Sequence, residues 1–229
     1  MRSRLILGTL VVGLVAAPVG TNATSATQPD AGPLAPRDEC EDLPGYAEFR
    51  RQLDDAITLR DADALLALAD ESVTLDFGGG MGVVEWRDRL DAGEYQGWSD
   101  LADTVNLGCG VNENLDGDAE DAGYIAFPWY FPKSIGEDPF ETVIVMGVDV
   151  PLRQSPSHDA KILRRISWDW ALVRYDEGDD DETGYWPVTT QQGVSGYVSE
   201  HALRSIVDYR LVANRQDGRW KITAFVAGD

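Results

Sequence analysis

The side chains able to do chemistry fall into a few groups. Rings gather late in the chain, where Trp168, Trp170, Tyr175, Tyr185, Trp186 and Tyr197 follow one another closely. Rigid rings with a polar tip offer large contact area and suit recognition better than bond-making. Arg153 and Glu200 flank this set and can orient a charged ligand, although solvated charge explains them equally well. The histidines, His158 and His201, stand in loop-like settings with no cysteine or serine elbow beside them. Cys109, in Leu107-Gly108-Cys109-Gly110, has no base within sequence reach, and a thiol without one is a weak nucleophile. Carboxylates are so abundant that no single pair is informative. Asp76, Glu85 and Tyr95 are the acid–base candidates if the N-terminal half encloses a pocket. Asn112-Glu113-Asn114-Leu115-Asp116-Gly117 imitates the first half of a calcium-binding loop, yet Gly123 stands where the bidentate glutamate is needed. That stretch and the acidic run 176–182 are expected to be solvated loops. No catalytic residue, metal or cofactor is expected.

Charge narrows the partners. Lys and Arg total 19 against 40 Asp and Glu, a formal net charge of -21. Such a chain repels phosphate backbones and anionic membrane surfaces, so nucleic acid is excluded and a membrane surface disfavoured. Arg2 and Arg4 precede an apolar run from Leu5 to Ala17, too short to span a bilayer. A basic start, a short apolar centre and small residues afterwards predict a secretory signal peptide over 1–26. No stable membrane anchor is expected, and the predicted location is secreted or periplasmic. In an oxidising compartment two cysteines pair more often than they bind metal, which predicts a Cys40–Cys109 disulfide over two separate buried thiols.

Local patterning supplies the elements. Residues 27–42, rich in Pro, Ala, Gly and Asp, predict a mobile linker. Phe49, Leu53 and Ile57, then Ala62, Leu65, Leu66 and Ala69, recur at three- and four-residue spacing. This predicts two helices with a break near Arg60-Asp61, the second capped by Asp61 or Asp63. Alternation over Ser72–Phe77 predicts a strand ended by Gly78-Gly79-Gly80. Further helices are predicted over Val84–Leu90 and Trp98–Leu107, with Leu101 and Val105 inward. Asp217-Gly218 suits a two-residue hairpin turn within 207–226. An isolated hairpin is marginal in water, so this one either packs on the barrel-like region before it or completes the N-terminal sheet, which would make the region between them an insertion.

Two resemblances follow from these residues. The order helix, helix, strand, glycine turn and helix over 46–107 is similar to the start of a nuclear-transport-factor-2-like cone, a fold that often encloses a pocket. From Asp149-Val150-Pro151-Leu152-Arg153 through Trp186-Pro187-Val188 to Gly193-Val194-Ser195-Gly196-Tyr197-Val198, the chain resembles a bacterial SH3 domain. Trp168-Asp169-Trp170 departs from that pattern, where a glycine-containing turn is usual. The whole chain is similar to exported bacterial SH3-domain-containing proteins, a likeness that brings architecture and no activity. The resulting expectation is an α+β protein: a helix-rich N-terminal domain over 43–140, an SH3-like β-barrel over 141–205 and a C-terminal hairpin over 206–229. Grooves on such barrels bind extended peptides or cell-wall components. The resemblance therefore implies a non-enzymatic binding module with Trp168, Tyr185, Tyr197, Arg153 and Glu200 at its groove. Trp170 and Trp186 are expected in the core. Its partners are a peptide or peptidoglycan-type ligand, or an envelope protein. The alternative is a small-molecule-binding or enzymatic N-terminal cone, with the barrel as a targeting element.

Overall fold

A computed structural model describes residues 31–93, 97–112, 123–136, 138–174 and 183–228. The predicted signal peptide lies outside the described residues. Helix α1 (Tyr46–Leu59) buries Tyr46, Phe49, Leu53 and Ala56 along one side and ends where Arg60 turns left-handed, at φ 51°. Asp61 then caps α2 (Ala62–Ala67), its carboxylate accepting from the Ala64 N–H at 3.0 Å. Strand β1 (Ala69–Thr74) begins three residues before its predicted start. It stops short because the Asp76 carboxylate accepts from the Gly78 and Gly80 N–H groups at 2.8 and 2.9 Å, turning the chain. Helices α3 (Val83–Ala92) and α4 (Trp98–Val105) follow, with Leu101 and Val105 buried as the spacing predicts. Asp100 anchors the start of α4 by accepting from the Gly97 N–H at 3.0 Å.

Strands β2 (Gly110–Val111) and β3 (Ile125–Phe127) lead out of this region. They join β1 in a five-stranded sheet only through the end of the chain, β11 (Arg210–Gln216) and β12 (Arg219–Val226), in the order β1-β12-β11-β3-β2. The turn joining β11 to β12 is the predicted one, Asp217 and Gly218 having φ 49° and 79°. These are the signs a type I′ hairpin turn requires. Val212 pairs with Ala224 but Ala213 with Ile222, so Thr223 is a bulged residue. The bulge exchanges faces, so that Phe225 rather than Ala224 is sealed in the core. The helices pack on this sheet through one cluster that includes Leu53, Leu65, Trp86, Leu101, Phe127, Ile222 and Phe225.

Between β3 and β11 the chain builds a second sheet from β4 (Thr142–Val145), β5 (Val150–Arg153), β6 (Ile162–Ile166), β7 (Asp169–Val173), β8 (Tyr185–Thr190), β9 (Ser195–Ser199) and β10 (Leu203–Ser205). Its order is β10-β4-β7-β8-β9-β5-β6. Here the expected architecture is corrected. The described residues form two large open sheets with few helices, and neither sheet closes into a barrel, because β10 and β6 end the seven-stranded order unpaired with each other. The expectation of a helix-rich domain beside an SH3-like barrel therefore fails. Strand lengths and turns were readable, but closure depends on whether the two end strands meet, which alternation does not encode.

The described part of the expected linker, 31–42, is packed rather than free. Leu34 is buried, and its N–H donates to the Trp168 carbonyl at 2.8 Å. Glu39 N–H donates to the Cys109 carbonyl at 2.8 Å. The predicted disulfide is present, joining Cys40 to Cys109 with Cα atoms 5.8 Å apart. Asp38 accepts from the Tyr46 hydroxyl at 2.5 Å, and burial together with this carboxylate holds that phenol well above its usual pKa. A smaller cluster joins Leu34 of the leading segment to Leu107, Trp129, Tyr130 and Ile144, and Trp168 and Trp170 pack against it.

Candidate functional site

Register decides which of the predicted groove residues meet. On β8 and β9, Pro187 lies opposite Tyr197 and Tyr185 opposite Ser199. On the other side of β9, Tyr197 lies opposite Arg153 of β5. Side chains of directly opposed residues share a face, so Pro187, Tyr197 and Arg153 form a row across three strands, with Tyr185 two residues along β8. The alternate residues Leu152, Val188 and Val198 point the other way into a second apolar core. Gly196 makes the approach of β5 to β9 possible. A Cβ there would fall 2.5 Å from the Arg153 carbonyl oxygen and 2.9 Å from Leu152 Cγ.

Arg153 is only 8% exposed, and its Nη1 donates to the Ala160 carbonyl at 3.0 Å. Among the described residues no carboxylate meets it. Tyr185 and Tyr197 are half-buried, each with part of its ring available. Glu200 is exposed at the rim, where its N–H donates to the Gly184 carbonyl at 3.0 Å. Four of the five expected groove residues are thus brought together.

Trp168 is not among them. It sits at the β6–β7 turn with φ 40°, in the left-handed region that glycine usually occupies. Its carbonyl is taken by Leu34, and its side chain packs on the cluster of Leu34, Leu107, Trp129, Tyr130 and Ile144. Trp186, expected in the core, is 37% exposed, because it lies at the start of β8 while burial on its face begins at Val188. Trp170 is half-buried. Tyr175, the acidic run 176–182 and all of the calcium-loop-like stretch 112–117 except Asn112 lie outside the described residues.

The acid–base candidates are engaged elsewhere. Asp76 and Glu85 clamp the Arg89 guanidinium at the surface, Asp76 at 2.5 Å. Hydrogen bonding to Arg89 holds both carboxyls below their usual range, helped by the Gly80 N–H at Asp76 and the Met81 N–H at Glu85. Tyr95 lies outside the described residues. His158 is exposed 3.4 Å from Asp159, and His201 is exposed.

A carboxylate with a lowered folded-state pKa adds stability above its unfolded pKa and loses it as pH falls through the folded one. Replacing Arg89 by Met should therefore flatten the acid side of the stability curve. Below the usual carboxylate range the variant and wild type should converge in Tm, and near neutral pH the wild type should melt higher. Equal melting at every pH would show that the clamp contributes nothing.

One cavity was not signalled by sequence periodicity. A cleft of about 450 Å³ opens between α1 and α4, lined by Arg50, Asp54, Thr58, Arg60, Trp98 and Asn106. Arg50 is already committed there, with Nε 2.9 Å from Asp54 and Nη1 3.5 Å from Asp38. The space between helices and sheet is filled by Trp86, Phe127 and Phe225, all fully buried.

No family model matches this sequence, and no curated protein matches it. Among solved structures, an NTF-2-like protein of unknown function from Shewanella oneidensis MR-1 aligns at 12% identity. The alignment covers 81% of this chain and 97% of that one, with a TM-score of 0.27. At that TM-score the likeness says nothing of activity or ligand and carries no argument about the fold. The bacterial SH3 resemblance gains no support from these comparisons.

Proposed function

We propose that this chain is a non-enzymatic binding protein of the cell envelope, secreted or periplasmic, that recognises an extended peptide or cell-wall component. The observation carrying this reading is the row Pro187–Tyr197–Arg153 with Tyr185 beside it on the seven-stranded sheet. The half-buried rings of Tyr185 and Tyr197 give flat contact to an extended chain over the buried Pro187, and a guanidinium that meets no carboxylate among the described residues suits a ligand carboxylate. The Cys40–Cys109 disulfide fits an oxidising compartment. Among the described residues no helix is long and apolar enough to cross a membrane.

The test is retention on purified peptidoglycan, followed by calorimetry with soluble stem peptides. Tyr197→Ala should weaken binding by about tenfold or more, the usual cost of removing an anchoring ring, while Tyr197→Phe should largely keep it. Both variants should melt near the wild type. Absence of retention by the wild type, or equal retention by Tyr197→Ala, would falsify this function.

A second reading rests on the cleft between α1 and α4, whose volume falls within the range of small-molecule sites. It places a small ligand beside Trp98. A metabolite screen read by Trp98-dependent fluorescence, with Trp98→Phe as control, separates this reading from the first.

A further inference from the structure

The outermost strand of the seven-stranded sheet has a character opposite to that of the whole chain. β6 pairs with β5 on one side only, so its other backbone edge is open. Residues 160–168, Ala-Lys-Ile-Leu-Arg-Arg-Ile-Ser-Trp, contain three cations and no acid, within a chain of net charge -21. Ile162 and Leu163 are 38% and 41% exposed, although both are large apolar side chains. Among the described residues, Lys161, Arg164 and Arg165 meet no carboxylate. The Arg165 Nη1 donates only to the backbone carbonyl of Asp149, at 2.8 Å. Beside the strand opens a cleft of about 230 Å³, lined by Arg164, Arg165, Ser167, Trp170 and Thr190 and by one carboxylate, Asp169, which accepts from the Gln191 side chain.

We propose that the Lys161–Ile166 edge is a docking site for an extended acidic polypeptide. Open strand edges accept an added strand through backbone hydrogen bonds, and the side chains then set the partner. Arg165 and Ile162 lie on one face of β6 and Arg164 on the other, so each face offers an added strand a cation to select acid, with Ile162 and Leu163 as exposed apolar contacts. A second copy of this chain fits poorly at this edge. Full-length antiparallel pairing of β6 with itself would set Arg164 directly against its own copy, and like charges directly opposed are destabilising. Charges on an edge also serve to prevent edge-to-edge association. That role needs no exposed isoleucine and leucine, and it predicts no affinity for acid. Ile162 lies directly opposite Arg153, so this edge continues the sheet face that carries the Tyr197 row, but its test reads β6 alone.

The experiment uses the full chain with its disulfide intact and a fluorescent short peptide of alternating glutamate and valine. Anisotropy is read at about 0.1 M salt, where the Debye length of about 10 Å screens the distant acidic surface but leaves contact pairs intact. The expected result is saturable binding that Arg164→Glu/Arg165→Glu weakens at least about tenfold, as loss and reversal of two charge pairs requires. The matching glutamine–valine peptide should bind comparably weakly, and Tyr197→Ala should bind the acidic peptide as well as wild type. Amide exchange should slow within Lys161–Ile166 when the acidic peptide is bound. Three outcomes overturn the proposal: no binding by the wild type, equal binding of the neutral peptide, or unchanged affinity in the double variant. A wild-type dimer dissolved by the same two substitutions also overturns it, by making a second copy the occupant. Because both arginines are exposed, the variant should keep the wild-type melting temperature, which circular dichroism checks.

Discussion

Replacing Cys40 and Cys109 together by serine should lower the unfolding free energy by about 4 kcal/mol, the cross-link entropy of a loop this long. The bond joins residues 69 positions apart in sequence. Released, the unfolded chain regains the freedom the bridge denied it, while the folded chain loses the tie between its leading segment and the end of the first helical region. A small domain has only about 5–15 kcal/mol in total, so the loss is a large fraction. Denaturation in urea with and without reductant measures it. The midpoint should drop on reduction in the wild type and stay put in the double serine variant. An unchanged wild-type midpoint would mean that native packing alone fixes the segment. The consequence should be local as well as global. The N–H of Glu39 donates to the Cys109 carbonyl, and that of Leu34 to Trp168, so amide exchange should quicken along 34–40.

The other large effect is expected at Phe225. Its ring lies 5.8 Å from that of Trp86 and 5.1 Å from that of Tyr209, stacked on the latter, and it is wholly excluded from water. Truncation to alanine removes that ring from a filled core and leaves a cavity bounded by an indole and a phenol. Such changes cost about 3–5 kcal/mol. The position is central in the sheet as well, because β12 is flanked by β1 on one side and β11 on the other. Phe225→Ala should therefore reduce stability by several kcal/mol, whereas Ile162→Ala on the exposed edge should change it by less than about 0.5 kcal/mol. A Phe225→Ala midpoint within error of wild type would contradict the position of the bulge at Thr223, because only that bulge turns Phe225 inward.

What the amino-acid order disclosed was local. Phe49 and Leu53 mark a helix face by spacing alone, Asp61 announces a cap, and Asp217-Gly218 has few backbone options. Long-range pairing was disclosed only as a choice, the hairpin packing on the barrel or completing the N-terminal sheet. The last two strands complete a sheet with β1, more than a hundred residues earlier, and nothing in Ala69–Thr74 names its partner. The barrel expectation failed for the same reason: several short strands with polar turns are compatible with both a closed and an open sheet. For the candidate site, residue types pointed to Tyr185, Tyr197 and Arg153, and cross-strand register brought them together. Trp168 was misplaced because its carbonyl is occupied by Leu34, from a stretch whose composition looked mobile. The exposure of Trp186 depends on where a core ends along a strand, which alternation cannot mark.

The pairing of Phe127 with Leu211 has a consequence for synthesis. These residues are direct neighbours across β3 and β11, so everything from Pro128 to Arg210 is topologically a single loop between adjacent strands. On the ribosome, the early helices emerge with their hydrophobic faces uncovered and must wait through the whole seven-stranded region. The strand that seals them, Arg219–Val226, is translated after all the others.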